Sequence, residues 1–321
     1  MAPHPASRPA PHDGPRSYPL VLRTTDYAWW KPALGAVVLG LGFFVVPILV
    51  QPLLALGVAI QGGSAPFAER FTEAARLETV TPASMLYLNL ALAGLTLLAM
   101  LVVRVVHRLP VAWLASVRPG VRWRFLLACF GLSVVALAAA LVVGSLLPQD
   151  PNDVGGGAGP NQLTGTLVAI GVVVLLTTPL QALGEEYAFR GYLMQAFGSL
   201  TGSRVAAVAV TSLLFALAHG VQNLPLFLDR LSFGVMAGLV VVLVGGLEAG
   251  IALHVMNNLF AFGIALVFGD IASVLNVSEA TWWQLPVTLT QNGLYLVLVL
   301  LVARRMGLRN TSVQPPQAVR V

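Results

Sequence analysis

Three short polar clusters interrupt an otherwise apolar chain of 321 residues, and their residue types are those of hydrolytic chemistry. In order they are Glu185-Glu186-x-x-x-Arg190, Phe215-x-x-x-His219 and His254-x-x-Asn257-Asn258. On a helix, Glu186 and Arg190 lie one turn apart with the acid on the N-terminal side, the better orientation for an ion pair. Glu185 is turned about 100° away from that pair, which predicts a carboxylate left without a cation and suited to proton transfer. His254 and Asn258 share a helix face, with Asn257 beside them. A carboxylate, an imidazole and an amide donor are what peptide hydrolysis requires: a base, a held water and a partner for the oxyanion. A nucleophilic thiol is not indicated, because the single cysteine, Cys129, lies in a remote apolar run.

Each cluster taken alone has an ordinary explanation. Paired glutamates at a helix end can simply reach water, a lone histidine near a helix end is most often interfacial, and a His/Asn pair can glue a bundle at roughly 0.6 kcal/mol per bond. The spacing is what joins them. Ser199–Ser203 reads as the turn of a helical hairpin with Gly202 as its breaker, and Glu185 and His219 each lie 17 residues from Gly202, at the same height in an antiparallel pair. The Gly245-Gly246 turn places His254 about 12 Å in from its helix start, at 1.5 Å per residue. Comparable depth predicts a shared, hydrated cavity in the cytoplasmic half of a membrane.

That membrane follows from composition. Hydrophobic residues make up 57% and charged residues 10%, against about 25% charged in a soluble domain, so the apolar side chains must face lipid. The fold class is all-α, a polytopic transmembrane bundle of about eight spans. The apolar stretches run Ala33–Ile60, Met85–Val103, Phe125–Leu147, Leu163–Leu183, Val205–Ala218, Leu231–Leu247, Ala249–Phe268 and Val287–Val302. All six tryptophans (Trp29, Trp30, Trp113, Trp123, Trp282, Trp283) flank them, where an indole sits at the headgroup level. The net charge of +5 does not signal nucleic acid, because 15 of the 18 basic residues fall on one side of an eight-span chain. Cytoplasmic loops carry that excess, which puts both termini in the cytoplasm of a multi-pass plasma-membrane protein. Only Arg70, Arg76 and Arg230 fall outside.

Residues 1–30 are rich in proline and polar side chains and predict a disordered tail; 304–321 read the same way. Between them lie a three-span region (31–162), a flexible Gly155–Pro160 linker and a catalytic membrane region (163–303). Residues 220–231 (GVQNLPLFLDRL) suit a regular lipid-facing helix poorly, and irregular backbone at membrane depth survives only beside protein or a water-filled cavity. The stretch is therefore expected to roof that cavity.

The three motifs, in this order on consecutive spans, resemble those of the CAAX protease and bacteriocin-processing family (CPBP, also called Abi), the type II CAAX prenyl endopeptidases and their bacterial relatives. The resemblance covers roughly residues 163–270. It implies an intramembrane endopeptidase acting on a peptide or protein substrate at the lipid bilayer. In the family the first Glu and the second-motif His, here Glu185 and His219, activate the attacking water. The last-motif His and Asn, here His254 and Asn258, complete the site and stabilise the oxyanion. Glu186, Arg190 and Asn257 would support it, Asn257 also competing as oxyanion donor. The family is generally classed with metalloproteases, and both a zinc and a metal-free glutamate mechanism have been argued for it. Two His and a carboxylate from three helices (Glu185, His219, His254) form a three-ligand zinc set with an open position for water, although no H-E-x-x-H lies on one helix. The competing classes are a proton-coupled transporter and a non-catalytic scaffold or immunity protein. Against the transporter stand the missing internal repeat and the clustering of polar groups on one side rather than along a path.

Overall fold

A computed structural model describes residues 14–148 and 159–313. Among the described residues eleven α-helices follow one another: α1 (Trp30–Gln61), α2 (Phe67–Arg76), α3 (Pro82–Val106), α4 (Trp123–Leu146), α5 (Gly165–Glu186), α6 (Met194–Thr201), α7 (Arg204–Ala218), α8 (Leu224–Val244), α9 (Glu248–Phe268), α10 (Ile271–Leu275) and α11 (Gln284–Arg305). Only two isolated bridges stand in for strands among the described residues. Among the described residues seven stretches are long and apolar enough to cross a membrane, α5 through α6 counting as one, and α7 is a shorter apolar helix of 15 residues. With α7 this accounts for all eight expected stretches. Their outward faces are apolar, with Phe44 and Leu49 both 72% exposed, as in helices that face lipid.

The helix starts are written locally. Thr81 and Ser84 form a reciprocal capping box before α3, and Thr164, Ser203 and Asn223 cap α5, α7 and α8 with their side chains, each satisfying an otherwise orphaned amide. The α6–α7 and α8–α9 turns need left-handed residues, supplied by Gly202 and Gly245 at φ 72°.

Both described chain ends meet on one face of the bundle. Ser312 donates its backbone N–H to Arg16 O at 2.8 Å, and the α3–α4 loop bridges to the α8–α9 turn through Ser116 and Gly246. The tail expected over 1–30 is thus folded in its described part. Tyr18, Val21 and Leu22 are buried, the Tyr18 hydroxyl donates to Leu114 O, and Arg23 Nε donates to Ser199 O at 2.7 Å. Proline and polar content concealed this short anchor because its few apolar residues lack helical periodicity. At the other end α11 runs to Arg305 and Ser312 is buried. Residues 1–13, 314–321 and most of the Gly155–Pro160 linker lie outside the described residues.

α3 packs along α5, and α4 against α9 and α11, so the first three spans brace the helices that carry the polar clusters. Gly184 permits the closest of these approaches, since a Cβ there would collide with Leu92 O of α3.

Candidate functional site

Immediately after the paired glutamates α5 passes into a π-helical segment, Tyr187–Leu193, before α6 resumes. Such segments break the i, i+4 ladder and are frequent at functional sites. The pair predicted from spacing is present: Arg190 Nη1 donates to Glu186 Oε1 at 2.8 Å, with both side chains wholly buried. The guanidinium lies 4.0 Å from the ring centre of Phe215 and 5.6 Å from that of Phe233, a cation held by aromatic faces. His254 donates from Nδ1 to the same Glu186 oxygen at 2.9 Å. This bond orients the ring so that Nε2 faces Glu185, whose Oε2 is 3.6 Å away. Gly250 of α9 leaves the space that Glu186 occupies, as a Cβ there would come within 2.7 Å of Oε2.

Glu185 has no arginine. Its Oε1 accepts from the Gln181 side chain one turn earlier, and Gln181 Oε1 in turn accepts from Asn258 Nδ2 at 2.8 Å. Glu185, His219, His254, Asn257 and Asn258 all line one cavity of about 390 Å³, together with Gln181, Phe215 and Phe233. Glu186 and Arg190 do not border it, so adjacent glutamates face in different directions. His219 is the C-terminal cap of α7; its Nδ1 donates to Phe215 O at 2.8 Å, and its ring sits 4.6 Å from the Phe215 ring. Nε2 is left as the acceptor. Asn257 is turned aside, its Oδ1 accepting from Gln291 Nε2 at 2.5 Å.

Two expectations need correction. The cavity does not lie in the half of the bundle nearest the termini: from Glu185 and His254 its lining runs through Asn89 and Ala261 to Leu77, Gln222 and Val277. Those last residues belong to connections on the opposite face, because the closely packed residues around Glu186, Tyr187 and Leu247 fill the terminus side. Residues 220–231 are irregular only as far as Asn223, where the side-chain cap and Pro225 start α8 about two turns before the apolar stretch expected from Leu231. Asn223 is pinned there, donating its backbone N–H to Ser278 O at 2.8 Å. Gln222, Leu226 and Arg230 of this stretch do border the cavity.

The donor types at the site suit zinc, and His254 already carries the carboxylate hydrogen bond on its far nitrogen that metal-binding histidines use. Their placement does not suit it. Among the described residues no three His, Cys, Asp or Glu side chains are gathered into a group that could hold a metal ion, so Glu185, His219 and His254 do not fit as they stand.

Sequence reasoning missed Gln181 and Gln291, the two carboxamides that orient Glu185, Asn258 and Asn257. A signal existed for Gln181: a polar side chain in an apolar span, one turn before the paired acids. Gln291 could only be recognised once α9 and α11 were known to touch. Glu248, the first residue of α9, lies outside this cavity and pairs with Arg122 at 2.6 Å.

With this geometry the chain can be set beside known proteins. Residues 167–260 match the family model described as type II CAAX prenyl endopeptidase Rce1-like. The matched segment contains all three motifs, from Glu185 through Asn258, and so agrees with the resemblance read from them. An uncharacterized protein, YyaK of Bacillus subtilis (strain 168), is 27% identical over 137 residues, covering 39% of this chain and 46% of that protein. The alignment thus spans less than half of that relative's length. No solved structure matches the chain.

Proposed function

We propose that the chain is an intramembrane endopeptidase that hydrolyses peptide bonds of membrane-associated substrates with a glutamate-activated water. The observation that carries this reading is the single cavity bordered by Glu185, His219, His254 and Asn258, behind which Glu186 and Arg190 are sealed as a pair. Glu185 takes one proton of a water whose other proton is held by His219 Nε2, with His254 Nε2 bordering the same space. The hydroxide oxygen bonds to the scissile carbonyl carbon, and the developing oxyanion accepts from the second N–H of Asn258. Protonated Glu185 then delivers the same proton to the amine as the C–N bond breaks, restoring the carboxylate. Gln181 acts through both partners, fixing the angle between base and oxyanion donor.

The purified full-length protein, incubated with a peptide library with and without a chelator, tests the reading. Cleavage that Glu185→Gln abolishes supports it, and the chelator arm reads metal dependence; a library left intact by the wild type overturns it. We also infer that both termini are cytoplasmic and that the bilayer is the plasma membrane, supported by the excess of basic residues on the face where the described chain ends meet. Thiol labelling in intact cells should protect Arg118→Cys and modify Gly63→Cys; the reverse pattern inverts the topology.

A further inference from the structure

A second, half-open chamber of about 1030 Å³ adjoins the catalytic cavity, walled by α4, α8, α9, α10, α11 and the α10–α11 connection. The two share a wall, for Leu226, Arg230, Phe233, Asn257 and Ala261 border both. Its α4 side is apolar, with Leu137, Leu141 and Leu147. The opposite side is not. Gln284, Thr288, Gln291 and Asn292 line it from α11, at separations that keep them on one helix face, and they look toward Asp229 of α8 and Asn257 of α9. Asp229, Thr288, Gln291 and Asn292 are all at least nine-tenths buried. Polar side chains at membrane depth persist where they pair or line a hydrated space. Here they do both. Thr288 donates to Asp229, Gln291 to Asn257 and Asn292 Nδ2 to Ser232 Oγ at 3.1 Å, while Asn292 Oδ1 is buried with no partner.

The α11 carboxamides and hydroxyl offer uncharged donors and acceptors beside Asp229, Arg230 and Glu279 on the same lining, a mixed polar wall that complements a peptide main chain rather than an acyl tail. The volume lies at the upper end of the roughly 300–1,000 Å³ that holds drug-sized ligands, room for several residues. We propose that this chamber binds the polypeptide of the substrate on one side of the scissile bond, its main chain along the α11 ladder and its side chains against α4. The proposal rests on the protease reading and deepens it. Asn257 and Asn258 join the two spaces: Asn258 faces the base through Gln181, and its neighbour stands in the shared wall, held by the ladder residue Gln291.

The test uses the full chain in lipid nanodiscs and a biotinylated peptide library, with Gly144→Phe and Asn292→Leu as variants. Among the described residues the nearest neighbour of a Cβ at Gly144 is Val287 at 3.8 Å; Gly144 and Asn292 line the chamber and do not border the catalytic cavity. For long peptides, KM should rise at least tenfold in both variants with kcat little changed, while peptides truncated to a few residues are cleaved as by wild type. In parallel, Leu141→p-benzoylphenylalanine in the Glu185→Gln background should photo-crosslink library peptides. Unchanged KM for long peptides, with lipid as the only crosslinked species, overturns the chamber and leaves the protease standing. A wild type that cleaves nothing overturns the protease, and the crosslink then decides the chamber by itself: captured peptide supports it, captured lipid ends it.

Discussion

Among the described residues two Glu–Arg pairs have a buried glutamate, and they are bonded very differently. On the terminus-bearing face, Glu248 Oε1 accepts from Arg122 Nε at 2.8 Å and from its backbone N–H at 2.9 Å, Oε2 accepts from Nη2 at 2.6 Å, and Nη1 donates to Val244 O at 2.8 Å. That is a two-pronged clasp with every carboxylate oxygen engaged, tying the α3–α4 loop to the start of α9. At the site, Arg190 gives Glu186 one hydrogen bond. Glu186 Oε2 and Arg190 Nε and Nη2 have no hydrogen-bond partner, and aromatic rings stand where acceptors would be. A pair built for stability saturates its donors; this one holds a histidine in place beside a second carboxylate. Departures from local consistency collect where a protein does chemistry.

The largest effect that separates the two centres is on rate. Glu185→Gln keeps size and the Gln181 contact but removes the base, and should lower turnover by about 10²–10⁴-fold with thermal stability and membrane insertion unchanged. Equal turnover in wild type and variant refutes the assignment of Glu185 as base. Full activity there, together with a folded but inactive Glu186→Gln, would reverse the roles of the two glutamates.

Breaking the site pair should act on folding instead. Glu186→Gln or Arg190→Gln leaves a buried charge uncompensated, a loss of about 3–5 kcal/mol, read as a fall in the amount of folded protein after detergent extraction. Since the same pair is lost either way, the double variant should be no worse than the single ones. Additive losses would show that each side chain has a second, independent partner of comparable weight.

Glu248→Gln tests the clasp. It should cost less, about 2–3 kcal/mol, because amide hydrogen bonds replace part of what the charge supplied and Arg122 lies nearer the surface. Activity per folded molecule should stay at the wild-type value. A selective loss of turnover would connect the clasp to the site through α9.

Most of the site was legible in advance because it rests on helical arithmetic. One-turn spacing gave the Glu186–Arg190 pair, a 100° offset separated Glu185 from it, and counts about Gly202 and Gly246 brought three helices to a common depth. What stayed hidden depends on contacts between distant segments. Gln181 reaches Asn258 across α5 and α9, Gln291 reaches Asn257 across α9 and α11, and Arg122 finds Glu248 only after the bundle closes. The direction of the cavity was misjudged for the same reason: helix counts give depth, but which side is filled depends on packing around Tyr187 and Leu247. The Tyr18–Leu22 anchor carries no periodicity at all.

The smallest effect probes the space behind the site rather than any bond. Gly250 and Gly263 lie on the same helix, and alanine is the better helix former at either by up to about 1 kcal/mol. At Gly263 an added methyl meets nothing within 4 Å, so Gly263→Ala should be neutral or slightly stabilising. At Gly250 the methyl comes within 2.7 Å of Glu186 Oε2 and 3.5 Å of its Cδ, and the carboxylate is held by both Arg190 and His254. It cannot retreat without stretching one of those bonds, so an overpacking cost of about 1–3 kcal/mol should outweigh the helix preference. Because His254 takes its orientation from Glu186, turnover should fall along with stability in Gly250→Ala and remain unchanged in Gly263→Ala. Equal behaviour of the two alanines, by unfolding midpoint and by turnover, would mean that Glu186 is free to move and that the tight geometry behind Glu185 does not govern the reaction.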